Sequence, residues 1–173
     1  MRKYLFFSLL ILLSICTSSF HKPKLDTGIY LIVDKSKYEM REYDSDDNWL
    51  VTYPCVFGSD DQSDKMTEGD RRTPEGIYHV NLKKVHPKWD KYLGLDYPNA
   101  EDIAKFNDRK ARGLIPATAK IGGAIGIHGT WPKQDFVVDY LQNWTNGCIC
   151  TKNEYIDEIF KNVPVGTKVI IKR

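Results

Sequence analysis

The sequence predicts a mainly β domain, a sandwich or barrel carrying a few short helices. Three observations predict it. β-Branched and aromatic runs bounded by polar turns recur along the chain. Helical spacing shows in three segments only, and no βαβ alternation that would build a parallel doubly wound sheet is present. The length of 173 residues, 42% of them hydrophobic, fits one domain with a sizeable core. There is no repeat, low-complexity tract or linker.

Each element follows from local chemistry. Ile29 to Val33 is a β-branched run, Asp34 to Ser36 a turn, and Lys37 to Tyr43 an alternating return strand. "WLVTYPCVFG" reads as a third strand, with Pro54 pointing to an edge or bulge. Cys55 within it reads as a small buried hydrophobe. Ser59 to Gly76 is long, polar and rich in turn residues, the kind of loop that usually serves function. "IYHVNLKK" resumes as a strand, whereas "HPKWDKYLGLDYPN" reads as irregular. "AEDIAKFNDRKARG" has helical spacing and stops at Gly113. "KIGGAIGIHG" is a glycine-rich β segment, and "DFVVDYLQN" a short helix. "TKNEYIDEIFKNV" is a better helix, capped by Thr151 or Asn153, with Ile156, Ile159 and Phe160 on one face. "VGTKVIIKR" closes the chain as a strand.

The first 19 residues read as an export signal: Arg2 and Lys3, an apolar run from Tyr4 to Ile15, then Thr17, Ser18 and Ser19. An apolar run this short falls below the roughly 20 residues of a membrane span. An uncleaved anchor and a lipid-modified Cys16 are the alternatives. Export to the periplasm or cell envelope is therefore expected, with membrane contact only through the signal or a lipid on Cys16. The formal charge of +2 comes without a basic block, which argues against nucleic acid.

Chemistry gathers around "GIHG" and "WTNGCICTKNE". Of four histidines, His128 stands between glycines at a strand end, twenty residues before Cys148. A cysteine nucleophile needs a base beside it, and an imidazole that stabilises the thiolate fills that role. "NGC" can turn sharply enough for the backbone N–H groups of Gly147 and Cys148 to receive an oxyanion. A helix beginning just after Cys148 would favour the thiolate further. Zinc is the weaker alternative, since a structural site wants four ligands at recognisable spacing. A redox pair is also weaker, because Cys148 and Cys150 are one residue apart rather than two.

Four motifs carry a resemblance: "EGDRRTPEGIYHV", "IGIHG", "WTNGCICTKNEYIDEIF" and "VPVGTKVII". In this order they resemble the catalytic domain of the L,D-transpeptidases, the YkuD-like family, over residues 27–172, and look closest to its YafK-type branch. The resemblance implies a β-sandwich of mixed sheets with a few short helices and an enzyme acting on peptidoglycan stem peptides. It implies Cys148 as nucleophile, His128 as proton acceptor and donor, Gly129 as the carbonyl orienting the imidazole, and Gly147 in the oxyanion turn. A stem tetrapeptide would form a thioester and pass to an amine. Water in place of the amine gives a hydrolase with the same site. No cofactor or metal is implied, and a monomer is expected.

The family's Ser-His-Gly-Cys-x-Arg is here Thr145-Asn146-Gly147-Cys148-Ile149-Cys150. Asn146 stands for the second histidine and Cys150 for the arginine. Arg71 or Arg72 from the long loop is the expected substitute cation, with Trp131, Trp144 and Asn146 as further substrate contacts. Cys150 reads as packing. A non-catalytic wall-binding module and a thiol oxidoreductase are the competing classes.

Overall fold

The computed structural model describes residues 28–173. The signal segment, Cys16 and His21 lie outside the described residues.

Strands β1 (Ile29–Asp34) and β2 (Glu39–Asp44) form the expected hairpin. Its turn is built by Asp34, whose carboxylate accepts from Ser36 Oγ and the Lys37 N–H, while Tyr38 closes it at φ 57°. β3 (Trp49–Pro54) follows, and Pro54 ends it at the sheet edge, as the missing N–H requires. β4 (Gly76–His86) pairs with β5 (Asp90–Leu95). β5 lies in the stretch expected to be irregular. Long-range pairing overrides its weak propensity: β5 is hydrogen-bonded on both sides, by β4 and by β6 (Gly126–His128). Gly94 is required there, since a Cβ would come within 2.9 Å of Asn81 Oδ1 and Leu82 Cγ.

Helix α1 (Ala100–Ala111) starts on an Asn99–Asp102 capping box and ends before Gly113 at φ 69°. The glycine-rich segment contributes only the three residues of β6. α2 (Phe136–Asp139) is a single turn. β7 (Ile149–Cys150) then precedes α3 (Asn153–Asn162), which buries Ile156 and Ile159. Neither expected residue caps α3. The Thr151 hydroxyl donates to the Pro54 carbonyl, Asn153 Oδ1 accepts from the Thr130 N–H, and Lys152 occupies the cap position. β8 (Lys168–Lys172) completes the set.

All eight strands join one mixed sheet, in the order β3-β2-β1-β8-β4-β5-β6-β7, parallel at β1–β8 and β6–β7. The sheet curls around a common core drawn from both halves, including Leu31, Tyr53, Tyr78, Leu93, Ile127 and Ile149. The sandwich expected from sequence is thus a single sheet wrapped on itself. Its edges meet: Val56, just beyond β3, exchanges both backbone hydrogen bonds with Cys150 of β7, at 2.8 and 2.9 Å.

The loop between β3 and β4 is ordered by buried cations. Lys35, fully buried, reaches Glu75 at 2.8 Å and the carbonyls of Ser63 and Thr73. Lys65 pairs with Asp70, whose other oxygen accepts from the N–H groups of Met66 and Thr67. Arg109 of α1 clasps Asp64 and the Lys65 carbonyl. Removing the partner of a buried charge costs more than the pair contributes, because the remaining ion is desolvated. Glu75→Ala should therefore destabilise the fold by ~2 kcal/mol, below the ~3–5 of a fully buried pair because Glu75 keeps some solvent contact. An unchanged urea midpoint and slope would contradict this.

Candidate active site

His128 ends β6 with its side chain almost wholly buried. Its Nδ1 lies 2.7 Å from the Gly129 carbonyl oxygen. A carbonyl only accepts, so Nδ1 carries the proton and Nε2 keeps its lone pair. Gly129 is fixed in turn: its N–H donates to the Trp89 carbonyl at 3.1 Å. A Cβ at Gly129 would come within 2.3 Å of Asn153 Oδ1, so only glycine fits.

Cys148 is placed by β7. Ile127 pairs with Ile149 and His128 with Cys150, which sets Cys148 alongside Gly126, two positions from His128 along the parallel pair. Alternate residues share a face, so Cys148 and His128 look the same way. Both line one cavity of about 560 Å³. The turn before the cysteine hangs on the Phe57 carbonyl, which accepts from the N–H groups of Trp144 and Thr145. Thr145 Oγ1 donates to the Cys148 carbonyl and accepts from the Gly147 N–H at 3.1 Å.

That bond corrects the oxyanion role expected of Gly147, because its N–H is already engaged inside the turn. Glycine is needed there for another reason. Its φ is 116°, and a Cβ would lie 2.7 Å from the Arg72 carbonyl. The helix expected directly behind Cys148 starts only at Asn153, after β7, so no helix N-terminus begins at the sulfur.

The charge state also differs from expectation. Burial pushes the Cys148 thiol up to about 11, against smaller opposing effects of a Gly126 backbone hydrogen bond and the Lys65 charge. Burial pulls His128 down to about 4, although its bond to Gly129 opposes the shift. Burial thus disfavours the charged form of both groups and favours a thiol beside an unprotonated imidazole over an ion pair. The sequence pairs the right residue types but carries no information on desolvation, which penalises both ions here.

Trp89 provides much of the cover over the base. Its indole stacks on the His128 imidazole at 4.7 Å and 24°, and on His86 at 4.2 Å and 7°. Trp144 meets His128 edge-on at 5.6 Å, and Trp131 stands edge-on to Trp89 behind them. Of the expected substrate contacts, Trp144 and Asn146 line the cavity, while Trp131, Arg71 and Arg72 are absent from its lining. Arg71 donates through Nε to the Thr145 carbonyl, and Arg72 pairs with Asp61. Arg71 thus braces the turn from outside, while Arg72 is tied within its own loop. Lys84 also lines the cavity, as do His86 and Trp89 from the 85–116 stretch expected to wall a substrate groove; none was singled out by residue, because the β4–β5 hairpin that presents them was not legible. Cys55 and Cys150 are buried free thiols, as expected of packing residues.

A model of the YkuD family, the L,D-transpeptidase catalytic domain, matches residues 28–171, nearly all of what the structure describes. The chain belongs to the L,D-transpeptidase catalytic domain family. It is 33% identical over 103 residues to YqjB of Bacillus subtilis, provisionally named an L,D-transpeptidase, covering 59% of this chain and 53% of that protein. The chain thus spans about half the length of the curated relative it matches. Among solved structures, the helical cell shape determining protein Pgp2 of Campylobacter jejuni aligns with TM-score 0.61 at 24% identity, covering 84% of this chain and 47% of that one. An Enterococcus faecium L,D-transpeptidase aligns with TM-score 0.53 at 17% identity over 84% of this chain and 50% of that one. At such identities these two establish the fold, which agrees with the mixed β architecture seen here.

Two measurements check the site's electrostatics. Alkylation of Cys148 by iodoacetamide should be slow at pH 7 and rise about tenfold per pH unit toward pH 10, following the thiolate fraction. A fast plateau at neutral pH would point instead to an ion pair. In Trp89→Leu, water reaches the imidazole, so the His128 titration followed by NMR should move up from about 4 by at least ~1 unit toward the ~6.5 of free histidine. Trp89→Phe should move it less.

Proposed function

We propose that this domain is a peptidoglycan L,D-transpeptidase that works through a Cys148 thioester. The observation that carries the proposal is the tautomer of His128: Nδ1–H is tied to Gly129, leaving Nε2 as an acceptor in the cavity that Cys148 also lines. As Cys148 Sγ adds to the carbonyl preceding the terminal D-residue of a stem tetrapeptide, its proton passes to Nε2. The oxyanion is met by the backbone N–H of Cys148, since those of Thr145 and Gly147 are already engaged. Collapse expels the D-amino acid, whose nitrogen takes the proton back from His128. An amine of a second stem then attacks the thioester, His128 removes its proton, and the thiol is regenerated.

A neutral pair suits this order of events. Proton transfer accompanies attack, so no buried charge is held in the resting enzyme. The imidazolium that forms is stabilised by the Gly129 carbonyl. Apolar lining that includes Trp89, Trp144, Leu82 and Leu95 limits water access to the thioester. A held amine outcompetes bulk water through its effective concentration. We therefore favour transfer over hydrolysis by the same Cys–His site, and either over a non-catalytic wall-binding module. Such an enzyme acts outside the cytoplasmic membrane, on stem peptides, as a monomer without a cofactor.

The test is incubation with purified disaccharide tetrapeptides, with and without millimolar acceptor stem peptide, followed by mass spectrometry. Expected are loss of one D-alanine, an acyl adduct on Cys148 and a cross-linked product. Cys148→Ala should lower all three by at least ~10³-fold, whereas Cys150→Ser should keep most activity. Free tripeptide as the sole product at saturating acceptor would make the enzyme a hydrolase. No adduct and no product would leave a binding module.

A further inference from the structure

The family's arginine is replaced by Cys150, which is buried, and the loop arginines are engaged elsewhere. The cavity nevertheless has a cation. Among the described residues that line it, Lys84 is the one side chain with a fixed charge, and no aspartate or glutamate lines it. Most other cations near the site are answered: Lys35 by Glu75, Lys65 by Asp70, Lys91 by Asp90 and Asp157. Lys84 has no carboxylate partner within the described residues. Its ammonium rests 5.2 Å above the Tyr92 ring, a contact that holds a cation without neutralising it.

Register gives this cation a position relative to the chemistry. Lys84 pairs with Tyr92 across β4–β5, Tyr92 pairs with His128 across β5–β6, and His128 pairs with Cys150 across β6–β7. The four residues form one row across the sheet. With strands ~4.8 Å apart, the backbone of Lys84 lies ~10 Å from that of His128. An extended peptide advances ~3.3 Å per residue, so ~10 Å corresponds to about three residues. The lysine side chain shortens this by reaching inward.

We propose that Lys84 is a specificity residue that binds a side carboxylate of the stem peptide, on the residue that bears the attacked carbonyl or on the one before it. This rests on the proposed transpeptidase function. Stem peptides carry free carboxylates there, on γ-linked glutamate and on diaminopimelate, and both can exist as carboxamides. A cation in a largely apolar cavity favours the acid over the uncharged amide. A lone ammonium does so by point charge, with none of the fork geometry a guanidinium would impose. The enzyme should therefore discriminate between acidic and amidated stems.

Three synthetic tetrapeptides test it: the free acid, the form amidated on glutamate, and the form amidated on diaminopimelate. Binding to the intact protein is measured by calorimetry at low and high salt, which needs no turnover. Wild type should bind the free acid about five- to tenfold tighter than one of the amides, and the gap should narrow at high salt. In Lys84→Met the three affinities should converge, and Lys84→Arg should restore the preference. Lys84 is exposed, so neither substitution threatens the fold. Equal affinities in wild type, or a preference that survives in Lys84→Met, would overturn the assignment. Failure of the transpeptidase function is read separately, from the absence of an acyl adduct on Cys148 with any of the peptides.

Discussion

The site depends on one pair of backbone hydrogen bonds, between Val56 and Cys150. β7 is two residues long and has no stability of its own. β6 holds it on one side, and the chain leaving the opposite edge of the sheet holds it on the other. Because side chains alternate along a strand, a one-residue slip would turn Cys148 away from His128. Closure of the curled sheet is therefore also what sets nucleophile against base. The neighbouring contacts extend the same constraint: Phe57 receives the turn, and Gly58 admits it, since a Cβ there would lie 2.5 Å from the Thr145 carbonyl.

Much of this was legible in the sequence. The strands with β-branched runs, the helix that stops at Gly113 and the placing of Cys148 and His128 as candidates depend on residue type and nearby order, which the chain displays directly. What was not legible depends on distant partners. β5 contains Asp90 and Gly94, poor strand residues, and exists because two neighbours pair with it. Trp89 stands at the hairpin tip, so its meeting with His128 could not be read from "HPKWD". Thr151 and Asn153 look like caps, yet their side chains bind the segments beneath them. Gly147 looks like an oxyanion donor, yet a hydroxyl two residues away takes its N–H. At β5, Trp89 and the α3 start a tertiary contact displaced a local preference, whereas at Gly147 the competing acceptor lies within the same turn.

Burial shapes the chemistry as strongly as geometry does. Trp89, Trp144 and Tyr92 surround His128 and leave the imidazole little water with which to carry a charge. The same crowding acts on the sulfur. In the proposed mechanism both groups stay neutral until a substrate carbonyl is attacked, and the Gly129 carbonyl then stabilises the imidazolium.

A neutral sulfur has a further property, in its behaviour toward oxidants. Peroxides attack thiolates, and the first step to a sulfenic acid slows in proportion as the thiolate becomes scarce. With its thiol held up to about 11, Cys148 presents very little thiolate at neutral pH. Burial raises the Cys55 and Cys150 thiols as well, and both are closed to solvent. Among the described residues, burial thus disfavours the thiolate at all three cysteines.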